Sequence, residues 1–152
     1  MRYTIRKGMF ETNSSSMHCV CLNTREESNQ RWDDPEYRKS IMTPYIKRGK
    51  ENDWPVERID LTTTMDMLSL GWGFDILDDF IDKLAYVYCS MCDETLSYDD
   101  CELICKALDN HVEGFIAYDP APSVDHQSIG LINSFLRSKE DKVKALRQLL
   151  FD

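Results

Sequence analysis

The sequence lacks the features of membrane and secreted proteins. No apolar run reaches the roughly 18 residues that a bilayer-spanning helix needs, and the charged residues 1–7 have no apolar signal core behind them. We therefore expect a cytoplasmic protein whose six cysteines are reduced thiols rather than a disulfide framework. The chain also has no internal repeat and no low-complexity tract, and its 152 residues fit a single domain, 1–152.

Basic residues are nearly missing from the middle of the chain. Residues 51–128 contain 18 Asp and Glu and only Arg58, Lys83 and Lys106 as counter-charges, whereas residues 1–50 contain 10 Lys and Arg against 6 acids. Contacts to phosphate need Lys and Arg, so we expect no direct nucleic-acid binding by the acidic part. The net charge of −9 favours a basic partner instead.

Apolar periodicity predicts an α+β fold. We expect a small mixed domain with a short, mostly antiparallel sheet, made of an N-terminal hairpin and a strand near 112–118, packed against several helices. The predicted strands are 2–6, 18–22, 58–61 and 112–118. The predicted helices are 25–34, 62–70, 74–88, 98–110, 129–137 and one that Ser138 caps and that runs to residue 150. Between them, residues 34–57 are rich in Pro and Gly and predict an irregular surface excursion.

Acidic residues form the first candidate site. On the predicted helix 74–88, an apolar stripe is expected to face the core and aspartates the opposite side. Together with acids of the following helix they predict a continuous negative face that binds a partner, formed by Asp75, Asp78, Asp79, Asp82, Asp93, Glu94, Asp99, Asp100 and Glu102. The simpler interpretation is the solvated side of amphipathic helices. The scarcity of interleaved Lys and Arg favours a partner surface, because ordinary soluble surfaces mix both signs.

Hydroxyl and imidazole groups form the second candidate site. Ser14, Ser15, Ser16 and His18 lie together between two predicted strands, and His126 lies in a polar segment before a helix. A serine activated by an imidazole base can act as a nucleophile, but a triad is recognised by geometry rather than by spacing. The alternative is a hairpin loop whose side chains bond their own backbone. For His126 both interpretations stay open.

Four cysteines have spacings that occur in zinc sites. Cys89 and Cys92 form a CxxC pair, and Cys101 and Cys105 follow as CxxxC. Cys101 and Cys105 lie one helical turn apart, which suits a core stripe as well as a metal. A redox pair needs a cysteine at a helix N-terminus, and Cys89 is expected near a C-terminus. We expect no metal and no cofactor.

The opening of the chain carries a family resemblance. The run Ile5-Arg6-Lys7-Gly8-Met9-Phe10-Glu11-Thr12-Asn13-Ser14-Ser15-Ser16-Met17-His18 resembles the start of a family of small proteins from bacteriophages and mobile elements of Gram-positive bacteria. Asp125-His126-Gln127-Ser128 and the closing Leu149-Leu150-Phe151-Asp152 are similar to its C-terminal part, and together the matches cover about a quarter of the chain. Family members often continue with a further strand. The resemblance implies phage or mobile-element origin and, by analogy with small acidic phage proteins, an anti-defence role.

Two function classes follow. The first is an inhibitor whose acidic face binds a host defence protein, such as the nucleic-acid-binding nuclease of a CRISPR system, with no membrane involved. The second is a small hydrolase, or an enzyme that processes a nucleotide or phosphodiester, using Ser14 to Ser16, His18 and His126. Against the enzyme, the sequence has no complete catalytic motif and no Gly-rich phosphate loop. Neither class fixes the target or the oligomeric state.

Overall fold

Short strands and helices alternate along the chain. The computed structural model describes residues 19–22, 33–62, 69–70, 74–93, 98–109, 111–116, 123–124 and 131–151. The elements in chain order are β1 (Cys19–Leu22), α1 (Pro35–Met42), a 3-10 turn (Thr43–Tyr45), β2 (Ile46–Glu51), β3 (Trp54–Asp60), β4 (Ser69–Leu70), β5 (Phe74–Leu77), α2 (Phe80–Asp93), α3 (Tyr98–Ala107), β6 (Gly114–Ile116), β7 (Ser123–Val124), α4 (Leu131–Arg137) and α5 (Lys142–Phe151). This is the predicted α+β fold.

The segment 34–57 is regular, which corrects the expected irregular excursion. Asp34 caps α1, its carboxylate accepting a hydrogen bond from the Glu36 N–H at 3.0 Å, and a proline occupies the first turn. Strands β2 and β3 then form an antiparallel hairpin. Its two loop residues, Asn52 and Asp53, have φ angles of 49° and 67°. Two consecutive left-handed residues give the tight turn that matches strand twist, so local turn chemistry explains the hairpin.

Parallel and antiparallel ladders both occur in the described strands. The longest ladder, β2 with β3, is antiparallel, and β6 extends that sheet by pairing in parallel with β3. The remaining ladders, β1 with β5 and β4 with β7, are also parallel. The expected mostly antiparallel pairing is therefore found in the β2–β3 hairpin, whereas the other described ladders are parallel. Parallel neighbours need long crossover connections, and the segments between these strands hold the helices. The expected strand 2–6 lies outside the described residues.

Strand β5 corrects the prediction of one helix over 74–88. Residues 74–77 pair with β1, and the helix begins only at Phe80. The apolar spacing of Phe74 and Leu77 fits either structure, and pairing with a distant strand determines which one forms. A similar correction applies to Ser69–Leu70, which form β4 where the helix 62–70 was expected to end.

Helix α2 lies at the centre of the core. Its side chains are buried on almost every side rather than along one stripe, as expected for a helix surrounded by other elements. Leu84 is fully buried, and α2 contacts α4, α5 and β7. The buried side chains of α2 are Phe80, Ile81, Lys83, Leu84, Ala85, Tyr86, Val87, Cys89, Ser90 and Met91. Leu77, Ile81 and Leu84, three of the four residues expected on a buried stripe with Phe74, are buried, but Leu77 belongs to β5 and the Phe74 side chain lies outside the described residues.

The C-terminal helices close the core from the other side. The capping residue of α5 is Asp141, whose carboxylate accepts a hydrogen bond from the Lys144 N–H at 2.9 Å. Ser138, expected to be that cap, instead donates to the Phe135 carbonyl at 2.7 Å, at the end of α4. The ring of Phe151 stacks on that of Phe80, with centroids 5.3 Å apart.

Asp109 joins three helices just after α3. Its backbone is left-handed, with φ 59°, and its carboxylate accepts a hydrogen bond from Arg38 Nε of α1 at 2.6 Å. The other carboxylate oxygen pairs with Arg147 of α5. Arg147 also donates to the carbonyls of Lys106 and Ala107 at 3.2 Å, which satisfies the end of α3. The Arg38 side chain is only 5% exposed, so Asp109 neutralises a nearly buried charge.

Candidate functional site

The structure does not describe the candidate catalytic residues. Ser14, Ser15, Ser16, His18 and His126 all lie outside the described residues. Their role therefore stays a prediction from sequence. The described residues include most of the acids of the predicted partner-binding face, which is therefore the candidate site described below.

Three carboxylates gather where β5 meets α2, and we call Asp78, Asp79 and Asp82 the α2 acidic cluster. Asp78 and Asp79 are exposed between the two elements, and Asp82 is half-buried in the first helical turn. Asp79 caps the helix, its carboxylate accepting from the Ile81 N–H at 3.3 Å. The start of a helix carries a partial positive charge, so its N-terminal turn tolerates acids better than other positions do.

Like charges nevertheless act on one another inside the α2 acidic cluster. Partial burial raises the pKa of Asp82, and the charges of Asp79 and Asp78 raise it further. Tyr45 of the 3-10 turn lies beside the same group, and burial together with Asp79 and Asp82 raises the pKa of its phenol. The carboxylates and the phenol therefore lie close enough for their charges to act on one another.

The three bases of the acidic region, Arg58, Lys83 and Lys106, each have interactions within the fold. Lys83 is 2% exposed and belongs to the core rather than to the surface. Arg58 pairs with Glu51 at 3.0 Å and Lys106 pairs with Glu102 at 2.6 Å, both away from the cluster. The exposed Asp78 and Asp79 at the start of α2 can attract an external cation or a basic surface.

The remaining acids form a second, more neutralised group. Asp99, Asp100 and Glu102 lie in the first turn and a half of α3, but Glu102 is paired and Asp100 borders a groove that Arg137 and Lys142 also line. Asp75 is a strand residue opposite Val20 and Asp93 ends α2, but their side chains, like all of Glu94, lie outside the described residues. Only Asp82 of the first four acids is on the helix that was expected to present them.

The cysteines whose side chains are described are thiols. Cys89 is buried, and Cys101 and Cys105 are half-buried and free. Burial raises the pKa of both α3 thiols, with Asp100 adding to the effect at Cys101 and with Cys101 and Glu113 adding to it at Cys105. A raised pKa lowers the thiolate fraction of these free cysteines, which makes them poor nucleophiles. The Cys92 side chain lies outside the described residues, and no cluster of three metal ligands occurs among the others.

Tyr45 is the member of this site that sequence reasoning missed. Its ring lies 6.4 Å from that of Phe80, centroid to centroid, which places the 3-10 turn against the start of α2. The two residues are far apart in the chain, and no local pattern connects them. Only the long-range packing of the core brings the phenol to the acids.

Comparison of the chain with protein-family models, with curated proteins and with solved structures gives no match. Within the described ranges, no helix is both long and apolar enough to cross a membrane. The functional argument therefore rests on the geometry and charge of the α2 acidic cluster.

Proposed function

We propose that the protein is an anti-defence protein of phage or mobile-element origin. It binds a host defence nuclease in the host cytoplasm, such as a CRISPR effector, and inhibits it by occupancy. The α2 acidic cluster, with Asp99 of α3 as a further exposed acid, is the binding surface. The origin rests on the N-terminal resemblance, and the binding mode rests on charge.

One observation carries this proposal. Asp78 and Asp79 are exposed beside Asp82, whose pKa is raised by partial burial and further by the charges of Asp79 and Asp78. Effector nucleases hold their guide–target duplex in a positively charged channel. Docking there would replace repulsion between carboxylates by attraction to Lys and Arg, and opposite charge would speed the encounter. Such an inhibitor needs no catalytic group.

The test is a dose series in a cleavage assay with purified, guide-loaded effector nucleases. We expect inhibition to be complete near one inhibitor per nuclease. The double variant Asp78→Lys/Asp79→Lys should weaken inhibition at least about tenfold, because charge pairs at interfaces contribute several kcal/mol. Both side chains are exposed, so the fold should persist.

The matched control is Glu36→Lys/Glu140→Lys. It changes the net charge by the same amount at two exposed acids away from the cluster. It should inhibit like the native chain if the cluster is the surface. If the two double variants lose inhibition equally, net charge alone explains the effect and the proposal is contradicted. Full inhibition at a small fraction of the nuclease concentration, lost on changing His18 or His126, would establish turnover instead.

A further inference from the structure

Strand β2 is the edge of the β2–β3–β6 sheet. β3 pairs with it on one side, and no described strand pairs with it on the other. In a hairpin closed by a two-residue loop, the pair next to the loop, Glu51 with Trp54, faces inward with its backbone groups. Alternation along the strand then points the N–H and C=O of Arg48 and Lys50 outward, whereas the Ile46 N–H already donates to the Thr43 carbonyl. An edge of this kind is a template for an added strand.

Side chains on β2 give this edge a positive charge. Lys47, Arg48 and Lys50 are all exposed, and within the described residues Lys47 and Lys50 have no ion pair. Arg48 approaches Glu57 only to 3.7 Å, between two exposed side chains, which is a weak interaction. A strand with acidic side chains would match these charges.

Trp54 lies next to the β2 edge and is mostly exposed to solvent. Its side chain is 75% exposed, at the end of the hairpin. Its register partner on β2 is Glu51, and Lys47 lies on the same face of the sheet, because alternate residues share a face. An added strand would lie two strand spacings from β3, about 10 Å, within the combined reach of an indole and a long side chain.

A second copy of this chain fits the edge poorly. Two-fold antiparallel pairing centred on Arg48 places the two Arg48 side chains directly opposite each other. The register centred on Gly49 places Arg48 opposite Lys50. Like charges directly opposite destabilise a ladder, so self-pairing is disfavoured in both registers.

Nucleic acid also fits poorly. The basic side chains alternate between the two faces of the strand, Lys47 on one and Arg48 with Lys50 on the other. They therefore offer no single row for a phosphate backbone. Glu51 lies directly across from Trp54, so a phosphate backbone would meet a negative charge beside the ring, whereas an alternating peptide strand can place an apolar side chain there.

We propose that the β2 edge binds an acidic, extended segment of a partner protein by strand addition, with Trp54 as the side-chain anchor. Backbone hydrogen bonds from Arg48 and Lys50 hold the segment, and its acidic side chains meet the exposed bases. The edge begins at Ile46, next to Tyr45, which lies beside the α2 acidic cluster, and its bases and Trp54 follow toward the hairpin loop, so the protein has two adjoining docking surfaces that use different residues and carry opposite charge.

The probe is a fluorescein-labelled peptide of about eight residues that alternates Glu and Val, the length of an ordinary strand. We expect it to bind the full chain, measured by fluorescence anisotropy. A peptide with Pro at two central Val positions keeps the charge but cannot pair, so it should bind at least about tenfold more weakly. Trp54→Ala should cost about tenfold or more, the scale of an interface hot spot.

The decisive pair is Arg48→Pro and Arg48→Gln. Both remove the charge, but only Pro removes the outward N–H, and Pro is tolerated on an edge strand when its N–H side faces solvent. We expect Arg48→Gln to weaken binding about threefold and Arg48→Pro at least about tenfold. Asp78→Lys/Asp79→Lys should leave peptide binding within about twofold, since that cluster is not part of the edge.

Several results would overturn strand addition. One is equal binding by the Arg48→Pro and Arg48→Gln variants, or by the two peptides. Another is Trp54-dependent binding of a thymidine oligonucleotide that is tighter than peptide binding, which would make the edge a nucleic-acid site. A third is a dimer in sedimentation that Arg48→Pro dissociates, which would assign the edge to a second copy. Absence of peptide binding at millimolar concentration would also reject it.

Discussion

Asp82 combines burial with like-charged neighbours. Partial burial raises its pKa, and Asp79 and Asp78 raise it further. The folded chain therefore holds this proton to a higher pH than the unfolded chain does. Ionisation of Asp82 opposes folding as the pH rises from the ordinary range of Asp, near about 3.9, through the raised value.

We expect Asp82→Asn to raise the thermal midpoint of unfolding near neutral pH. The gain should shrink as the pH falls to about 4 and below, where Asp82 is protonated in both states. Thermal melts of both proteins across this range measure the difference. Asp99→Asn is the control, because Asp99 is an exposed acid in the first turn of α3 and should give no gain. A gain independent of pH would contradict the assignment.

Asp109 is a residue on which stability depends more strongly. We expect Asp109→Asn to lower the free energy of unfolding by about 3 kcal/mol, since it leaves Arg38 nearly buried without its counter-charge. Asn also tolerates the left-handed backbone found at this position, so the loss reports charge rather than strain. Urea denaturation measures it.

The matched control breaks an exposed pair. Glu102→Gln removes the partner of Lys106, and both of those side chains are about half exposed. Its cost should stay below about 1 kcal/mol. Equal losses from Asp109→Asn and Glu102→Gln would mean that burial adds nothing to the Asp109 interaction.

At the scale of elements, the sequence predicts structure that depends on local periodicity and capping better than structure that depends on pairing between distant strands. Strands β1, β3 and β6 and helices α3, α4 and α5 follow from periodicity and capping to within a few residues. The β2–β3 hairpin was missed because its turn, Asn52-Asp53, lacks the glycine that usually marks such loops. Strand β5 differs from the predicted helix because its four residues, 74–77, are too few to distinguish the 3.6-residue period of a helix from the two-residue period of a strand.

The α2 acidic cluster was predictable as composition but not as geometry. Asp78, Asp79 and Asp82 were named from the charge pattern alone, yet their position at a strand–helix junction depends on β5 ending at Leu77. The neighbouring Tyr45 and the burial of Lys83 depend on tertiary packing. No local sequence pattern encodes them.

Helix α2 gives the element-scale prediction. Leu84 is fully buried, and Leu84→Ala should cost about 2–5 kcal/mol in urea denaturation. Ile81→Ala, at 5% exposure, should fall in the same range. Ile76 of β5 is 55% exposed, and Ile76→Ala should cost less than about 0.5 kcal/mol. A similar cost at positions 76 and 84 would show that the core does not lie where the structure places it.

At the scale of the whole molecule, a net charge of −9 is divided between surfaces of opposite sign. We expect association through the α2 acidic cluster to slow as salt rises, because the screening length falls from about 10 Å at 0.1 M to about 3 Å at 1 M. Stopped-flow mixing with the proposed target nuclease measures the association rate. Dissociation should change much less, since contacts formed at close range are screened less. Rates independent of salt would exclude steering by charge.

The stacking of Phe80 on Phe151 also has a consequence for biosynthesis. The two rings belong to the first residue of α2 and the last residue of α5, so the central helix emerges from the ribosome long before its final covering arrives. Until then the side of α2 that α5 covers stays open. Chains with such distant contacts fold slowly and expose aggregation-prone surface meanwhile. Translation of this protein therefore leaves a vulnerable nascent chain, for which chaperones that shield apolar helices are the natural safeguard.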